Sequence, residues 1–210
     1  MKPQITISLV EYGAGNLPSV ERALARQGLE TERAATPESI AAARVLILPG
    51  VGHFGQLMHT LAARGLLGPI RQSICGGVPF LGICLGLQAL FSSSAEAPED
   101  KGLGIVEGAV SALPVTAKLP HMGWNTLRQV RPSVLLEGIP PEAYFYFAHS
   151  YAALDAGDSA IAMCEHGVPF VAALERRNLF AVQFHPEKSG EVGARVLANF
   201  VAYARAGSRP

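Results

Sequence analysis

The first half of the chain alternates short apolar runs with segments in which apolar residues recur at helical spacing. The apolar runs, which predict strands, are Ile5 to Val10, Val45 to Leu48 and Val78 to Leu81. Helices are predicted after Asn16, from Phe54 to Arg64 and from Leu85 to Phe91. Strands without polar alternation, separated by helices, indicate a parallel sheet that is covered on both faces.

The second half has shorter apolar runs and more closely spaced turn signals. Its clearest strand patterns are Tyr144 to Phe147, Phe170 to Leu174 and Phe180 to Phe184, and helical spacing returns from about Glu191 to Arg205. The whole pattern predicts an α/β fold: an open, mostly parallel central sheet flanked by helices, with antiparallel additions. No linker-like stretch interrupts it, so we expect residues 1–210 to form a single domain.

Composition and charge narrow the class of protein. Lys+Arg 17 and Asp+Glu 17 cancel, whereas binding to phosphate backbones normally requires a basic excess. Three scattered cysteines do not make a disulfide framework, and the N-terminus lacks the apolar stretch of a signal peptide. No apolar segment reaches the length of about 20 residues that a membrane span needs. We therefore expect a cytoplasmic protein that binds neither nucleic acid nor membrane, and its low charged fraction, 16%, favours a partner surface.

The sharpest local signal is Gly82-Ile83-Cys84-Leu85-Gly86, which follows an apolar strand and opens an apolar helix. This is the strand–turn–helix setting of a nucleophile elbow, with cysteine in place of serine. Such a turn places its central side chain at the carboxyl end of the sheet, where α/β proteins bind their ligands. A buried structural cysteine in a glycine-rich turn is the alternative.

A second signal, Phe184-His185-Pro186-Glu187, supplies a base and a carboxylate. Residues two apart in an extended segment point to the same side, so His185 and Glu187 can meet. A carboxylate beside an imidazole fixes its tautomer and stabilises the imidazolium. Alone, such a pair is more typical of a surface loop, but together with Cys84 it completes a Cys-His-Glu triad.

The third signal is the turn Pro49-Gly50-Val51-Gly52 at the end of the second predicted strand. In elbow enzymes one oxyanion donor is the N–H group that follows the nucleophile, here that of Leu85, and another comes from a neighbouring loop. Gly50, Val51 and Gly52 can supply that second donor. A plain turn is the alternative.

The remaining cysteines and histidines are weaker candidates. Cys75, followed by Gly76-Gly77, stands near a predicted helix-to-strand turn and is interpreted as structural, and no glycine elbow or oxyanion loop frames Cys164. His149 follows a strand but has no acidic neighbour, so we interpret it as pocket lining. The other histidines show no spacing typical of a metal site, and no phosphate-binding glycine loop is present. We expect no metal and no cofactor.

Together the three motifs resemble those of class I, triad-type glutamine amidotransferases, and the resemblance spans nearly the whole chain. Further segments narrow it to the glutaminase subunits of imidazole glycerol phosphate synthases. These segments are Glu11-Tyr12-Gly13-Ala14-Gly15-Asn16-Leu17, Pro120-His121-Met122-Gly123-Trp124-Asn125, His149-Ser150-Tyr151 and Gln183-Phe184-His185-Pro186-Glu187-Lys188-Ser189. The resemblance implies that Cys84 attacks glutamine, that His185 transfers protons and that Glu187 orients His185. It also implies that the glutamine is bound by Gln88, Glu96, His149, Ser150 and Tyr151.

The resemblance further implies a heterodimer with a (β/α)₈-barrel cyclase subunit. That subunit would use the ammonia to form imidazole glycerol phosphate and an aminoimidazole carboxamide ribotide in histidine biosynthesis. The expected partner-facing residues are His121, Met122, Gly123, Trp124, Asn125 and Lys188. Without the resemblance, a core position would be the better interpretation of Trp124. The glutaminase is expected to be nearly silent alone, until the peptide Pro49–Gly52 reorients to complete the oxyanion hole.

Three other functions stay open from the sequence. A free-standing cysteine hydrolase on the same fold would act without a partner and would not need the segment Pro120 to Asn125. A non-catalytic module would not need Cys84, His185 and Glu187. An amidotransferase subunit of a chorismate- or pyridoxal-phosphate-forming synthase would pair with a different partner.

Overall fold

A computed structural model describes residues 5–13, 16–114, 116 and 118–207 of the chain. Ala14 and Gly15, in the first of the resembling segments, lie outside the described residues, as do the first four residues of the stretch considered for a signal peptide. Across the described ranges, no helix combines the length and apolar character that crossing a membrane requires.

The secondary structure alternates strands and helices in the first half and is dominated by strands in the second. The strands of the described residues are β1 Thr6–Val10, β2 Glu30–Ala34, β3 Leu46–Gly50, β4 Phe80–Cys84, β5 Ser93–Ser94, β6 Ala109–Ala112, β7 His121–Thr126, β8 Arg128–Gln129, β9 Tyr144–His149, β10 Tyr151–Ala153, β11 Ala160–His166, β12 Val168–Arg176 and β13 Leu179–Val182. The helices are α1 Leu17–Ala25, α2 Pro37–Ala42, α3 Phe54–Ala63, α4 Leu67–Cys75, α5 Leu85–Gln88 and α6 Gly190–Gly207. Short 3₁₀ turns cover Gly157–Ser159 and Pro186–Lys188.

The main sheet confirms the predicted fold class. In the described part of the chain it has eight strands in the order β2-β1-β3-β4-β13-β12-β11-β8. The first five strands are parallel, and β12, β11 and β8 add antiparallel pairs at one side. Because β3, β4 and β13 are central and parallel, their carboxyl ends meet at one edge of the sheet, where a ligand site is expected.

Two apolar layers cover the sheet. Alternate residues of the central strands face opposite sides, so Ile47 packs with α1 and α6 while Leu46 and Leu48 pack with α2, α3 and α4. In α6 the stripe Val196, Leu197, Phe200, Val201 and Ala204 is buried at helical spacing. This double coverage explains why the central strands are apolar throughout.

A smaller sheet and a two-stranded ribbon lie outside the main sheet. The small sheet has the order β10-β6-β5, and β7 pairs antiparallel with β9 from His121↔His149 to Thr126↔Tyr144. The ribbon therefore connects the Pro120–Asn125 segment directly to the His149–Tyr151 segment.

The structure differs from the sequence-based expectation in a few elements. The helix predicted from Leu85 to Phe91 ends at Gln88, because the carbonyl groups of residues 89–91 accept hydrogen bonds from a returning segment, residues 103–106. The strand predicted from Val78 to Leu81 runs from Phe80 to Cys84. Strand β3 continues through Pro49 and Gly50, where the sequence predicted its end.

Candidate active site

Cys84 is the last residue of β4 and stands directly before the single turn of α5. Its backbone has φ 54° and ψ −106°, a sparsely populated conformation for a residue with a side chain. Flanking glycines make this turn possible. A Cβ atom at Gly82 would lie 2.6 Å from the Gly86 carbonyl oxygen, and one at Gly86 would overlap the Leu48 carbonyl group. The turn therefore has the strained geometry of a nucleophile elbow.

His185 is held in place through its main chain. Its N–H group donates to the Tyr146 carbonyl oxygen at 2.8 Å, which attaches it to β9. Its own carbonyl oxygen accepts from the Ser189 hydroxyl at 2.7 Å. Glu187 lies in the following 3₁₀ turn, and one of its carboxylate oxygens is 2.9 Å from His185 Nδ1. The structure thus brings together the histidine and the carboxylate that the sequence paired.

The pKa of His185 is set by burial and by two acidic neighbours, Cys84 and Glu187. The side chains of His185 and Glu187 are 3% and 2% exposed. Burial alone would lower the pKa of His185, but the charge and hydrogen-bonding contact of Cys84, with those of Glu187, raise this pKa well above its ordinary value. The imidazolium is therefore the favoured form opposite the sulfur atom, and Glu187 stabilises it.

A cavity of about 260 Å³ opens in front of Cys84 and His185. Among its lining residues are all five that were expected to bind glutamine, namely Gln88, Glu96, His149, Ser150 and Tyr151, together with Val51, Gly52, Leu85, Ala148 and Lys188. The volume suits a ligand of the size of an amino acid, because pockets for drug-sized ligands have volumes of about 300–1,000 Å³. Cys84, His185 and the residues expected to bind glutamine therefore line one cavity, whereas Gly50 and Glu187 are not among its lining residues.

Two of these polar residues are already engaged. A carboxylate oxygen of Glu96 accepts from the Phe54 N–H group at 2.7 Å, at the start of α3. The Gln88 amide nitrogen donates to the Tyr151 carbonyl oxygen at 2.8 Å and to the Gln183 side-chain oxygen at 3.1 Å. The sequence analysis named Gln183 only as part of a motif and gave it no role. Its complete burial next to Gln88 appears only in the structure.

The turn after β3 lies against the elbow. A Cβ atom at Gly50 would be 2.6 Å from Leu85 Cβ and 2.7 Å from the Gly86 nitrogen, so only glycine allows this approach. Tyr12, near this turn, is 3% exposed. Burial raises the pKa of its hydroxyl to about 12; the charge of Cys84 adds to this rise, and the Val51 backbone opposes it. Among the described residues its buried hydroxyl has no hydrogen-bond partner of normal geometry.

Comparison with known proteins identifies the family. The chain matches the family "Glutamine amidotransferase class-I" over residues 8–204. It is 47% identical over 195 residues to imidazole glycerol phosphate synthase subunit HisH of Desulfitobacterium hafniense (strain Y51), with 92% of each chain covered. It is 48% identical over 200 residues to the HisH subunit of Methanothermobacter thermautotrophicus, covering 95% of this chain and 100% of that one. The chain belongs to the HisH family of class I glutamine amidotransferases.

Solved structures of other proteins share the fold of this chain. The structure of PurLQS from Thermotoga maritima is 20% identical, with a TM-score of 0.75, and the match covers 96% of this chain and 99% of that one. At this identity the likeness shows the fold alone. Family membership makes the chain a glutamine amidotransferase, as its motifs predicted.

Residues His121 to Asn125, from the segment that narrowed the resemblance, lie in β7. Met122 and Trp124 are 65% and 56% exposed, which excludes a core position for Trp124. His121 is only 4% exposed, so it lies beneath the surface that Met122 and Trp124 form. Lys188 is exposed, and its ammonium group lies 5.6 Å from the centre of the Tyr146 ring.

The rival cysteines lie outside the cavity of this HisH-family chain. Cys75 is exposed at the end of α4. Cys164 is buried in β11, and burial raises the pKa of its thiol to about 12. Neither cysteine lines the cavity that Cys84 faces. Within the described ranges, the chain holds no group of three or more His, Cys, Asp or Glu side chains arranged to bind a metal.

Proposed function

We propose that this chain is the glutaminase subunit of an imidazole glycerol phosphate synthase. It hydrolyses glutamine to glutamate and ammonia and passes the ammonia to a barrel cyclase subunit. The observation that carries the proposal is the strained placement of Cys84 beside the buried His185–Glu187 pair, with Cys84 and His185 both lining an amino-acid-sized cavity. The names of the relatives, which are imidazole glycerol phosphate synthase subunits, support the biosynthetic role.

In the first half-reaction the Cys84 thiolate attacks the side-chain amide carbon of glutamine. A carbon–sulfur bond forms, and the carbonyl oxygen becomes an oxyanion. His185, as the imidazolium, donates its proton to the amide nitrogen, and the carbon–nitrogen bond breaks to release ammonia. Glu187 holds the imidazole through Nδ1, which leaves Nε2 to transfer the proton. The product that stays bound is a glutamyl thioester.

In the second half-reaction the neutral His185 takes a proton from water. The resulting hydroxide attacks the thioester carbon, the carbon–sulfur bond breaks and glutamate leaves. The thiolate and the imidazolium are restored together. The burial of His185 and Glu187 limits proton exchange between His185 and bulk water.

The oxyanion needs two donors, and we propose that they come from Leu85 and from the Gly50–Gly52 turn. The Leu85 N–H group follows the nucleophile at the start of α5. We propose that the turn reorients when the partner binds and so supplies the second donor, a change that its glycines make easy. Absence of one such donor costs about 10²–10³-fold in rate, so we expect the glutaminase to be nearly silent until the turn reorients.

The cyclase subunit binds, in this proposal, on the face formed by β7 and Lys188. Exposed Met122 and Trp124 provide the large apolar contacts that anchor interfaces. Gly123 and Asn125 alternate with them along β7 and are half-buried, and His121 is buried. A heterodimer of this kind delivers ammonia before it meets bulk water. We further propose that residues 1–210 act as one domain and work in the cytoplasm.

The test is glutamate release from glutamine by the pure chain, with and without the cyclase partner and its ribotide ligand. Cys84→Ala should abolish the release, and Cys75→Ala should leave it unchanged, because Cys75 lies outside the cavity. Release that does not depend on the partner would favour a free-standing hydrolase. Release that survives in Cys84→Ala would overturn the assignment of the nucleophile.

A further inference from the structure

Gln183 lies beside Cys84 in the sheet. Strands β13 and β4 are parallel, with Val182 opposite Ile83, so the residues that follow this pair are Gln183 and Cys84. The Gln183 side chain is completely buried, and its amide nitrogen is 3.5 Å from the Cys84 sulfur atom. A buried carboxamide in contact with the sulfur atom needs a physical reason, since burying polar groups is costly.

The direction of this contact is fixed by a backbone carbonyl group. The Tyr151 oxygen can only accept, so the Gln88 atom at 2.8 Å from it must be the amide nitrogen. The second hydrogen of that nitrogen then points to Gln183 at 3.1 Å, which makes the facing atom of Gln183 its oxygen. The other end of the Gln183 carboxamide, which faces Cys84, is therefore the N–H donor.

A second series of hydrogen bonds runs from the Tyr151 carbonyl oxygen to the ribbon of β7 and β9. His149 Nδ1 lies 3.0 Å from the Tyr151 oxygen and therefore donates to it. Burial lowers the pKa of His149 to about 3 and that of His121 to about 4, so both rings are neutral near pH 7. His149 Nε2 then accepts from His121 Nδ1 at 3.1 Å, and His121 Nε2 faces the Asn125 amide nitrogen at 3.3 Å. The Tyr151 carbonyl oxygen is thus held from both sides.

We propose that Gln183 is a further catalytic residue, which donates an N–H hydrogen bond to the Cys84 sulfur and stabilises its thiolate, and that Gln88 positions Gln183. This rests on the proposed function for the identity of the nucleophile. The donor acts twice in the cycle without transferring a proton. It fixes the thiolate before attack, and it stabilises the same thiolate as the leaving group when the thioester is hydrolysed.

The test measures the alkylation of Cys84 by iodoacetamide as a function of pH, followed by peptide mass spectrometry so that Cys75 is scored separately. Gln183→Met keeps the approximate volume and removes the donor, and Gln183→Glu also keeps an acceptor for Gln88. Both should move the midpoint of the pH profile upward and slow alkylation near neutral pH about 10-fold or more, as expected for a hydrogen bond to a charged group. The matched control is Gln27→Met, which removes a donor bond to the Ala194 carbonyl oxygen away from the cavity.

The alkaline limit of the alkylation rate separates this role from structural damage. Loss of a thiolate donor raises the midpoint but leaves the limiting rate at high pH intact, whereas a distorted site lowers the limiting rate as well. An unchanged midpoint in Gln183→Met would overturn the proposal. If Cys84→Ala retained glutaminase activity, the proposed function would fail, while the alkylation profile would still report on Gln183.

A measurement on the wild-type protein covers the case in which the variants do not fold. The side-chain amide resonances of Gln183 should shift when Cys84 is titrated and again when it is alkylated, because the hydrogen-bond acceptor changes. The Gln27 amide resonances serve as the control. Gln183 resonances that respond to neither change would contradict the contact.

Discussion

Replacement of Gly50 by alanine tests whether the close approach of the β3 turn to the elbow is needed for catalysis. The new Cβ atom would lie 2.6 Å from Leu85 Cβ and 2.7 Å from the Gly86 nitrogen. Carbon atoms in contact are normally about 3.5–4.0 Å apart, so the two segments must separate by about 1 Å. The neighbours are largely backbone atoms, which cannot move aside as a flexible side chain does.

This displacement falls on the groups that are proposed to bind the oxyanion. A misplacement of about 1 Å in a catalytic site costs about 10²-fold in rate. Overpacking of this kind also costs about 1–3 kcal/mol of folding free energy. We therefore expect Gly50→Ala to lower kcat of the complex with the cyclase subunit by about 10²-fold, with a smaller change in KM because Gln88 and Glu96 stay in place.

The assay is glutamate release by the reconstituted complex, combined with thermal unfolding of the isolated chain. Gly68→Ala is the matched control, since no atom lies within 4 Å of its new Cβ atom and the residue is in α4. Alanine should be neutral there or stabilise the helix by up to about 1 kcal/mol. Wild-type kcat in Gly50→Ala, with normal folding, would refute the argument that this approach positions the oxyanion donors.

Three further predictions concern the histidines and the partner face. Glu187→Gln should lower kcat by at least about 10²-fold and move the alkaline limb of the pH–rate profile to lower pH, because His185 loses a carboxylate that raises its pKa. Thermal stability should fall as the pH drops below about 6.5, because the unfolded chain then binds protons that His121 and His149, with pKa values of about 4 and about 3, do not bind when folded. Trp124→Ala should weaken binding of the cyclase subunit by about 2 kcal/mol in calorimetry and change the unfolding free energy by less than about 0.5 kcal/mol.

Each of these predictions has a control. Glu191→Gln removes a carboxylate in the first turn of α6 and should leave the pH–rate profile unchanged. His121→Phe should make the loss of stability in acid less steep, and an unchanged slope would contradict the assignment. Val134→Ala shortens another exposed apolar side chain, outside β7, and should not affect binding. Equal losses for Val134→Ala and Trp124→Ala would argue against a specific partner face.

The parallel core of the fold could be predicted because its strands are buried on both faces. Runs such as Val45 to Leu48 have no reason to be apolar throughout unless helices cover both sides. Strand β2, Glu30–Ala34, lies at the edge of the sheet and is mostly exposed. It therefore has no run of apolar residues from which it could be predicted. Helix α5 stops early because residues 103–106 donate hydrogen bonds to the carbonyl groups of residues 89–91. The local sequence pattern of the helix gives no sign of these contacts.

The candidate site shows the same division. Cys84, His185 and Glu187 could be predicted because each stands in a local motif with its own chemistry. Gln183 could not, because its role follows from strand register and from the orientation of Gln88. The sequence identifies the segment that contains His121, but it does not show which of its residues are buried. In the ribbon the His121 ring is buried, whereas Met122 and Trp124 are exposed.

The backbone conformation of Cys84 also has an evolutionary consequence. With φ 54° and ψ −106°, a residue with a side chain at this position costs about 1–3 kcal/mol, and glycine would remove most of that cost. Selection for stability alone would therefore replace this cysteine in any descendant that no longer needed its thiol. A cysteine in this conformation records continuing selection for chemistry, and a glycine at the same position would mark a lineage that has abandoned it.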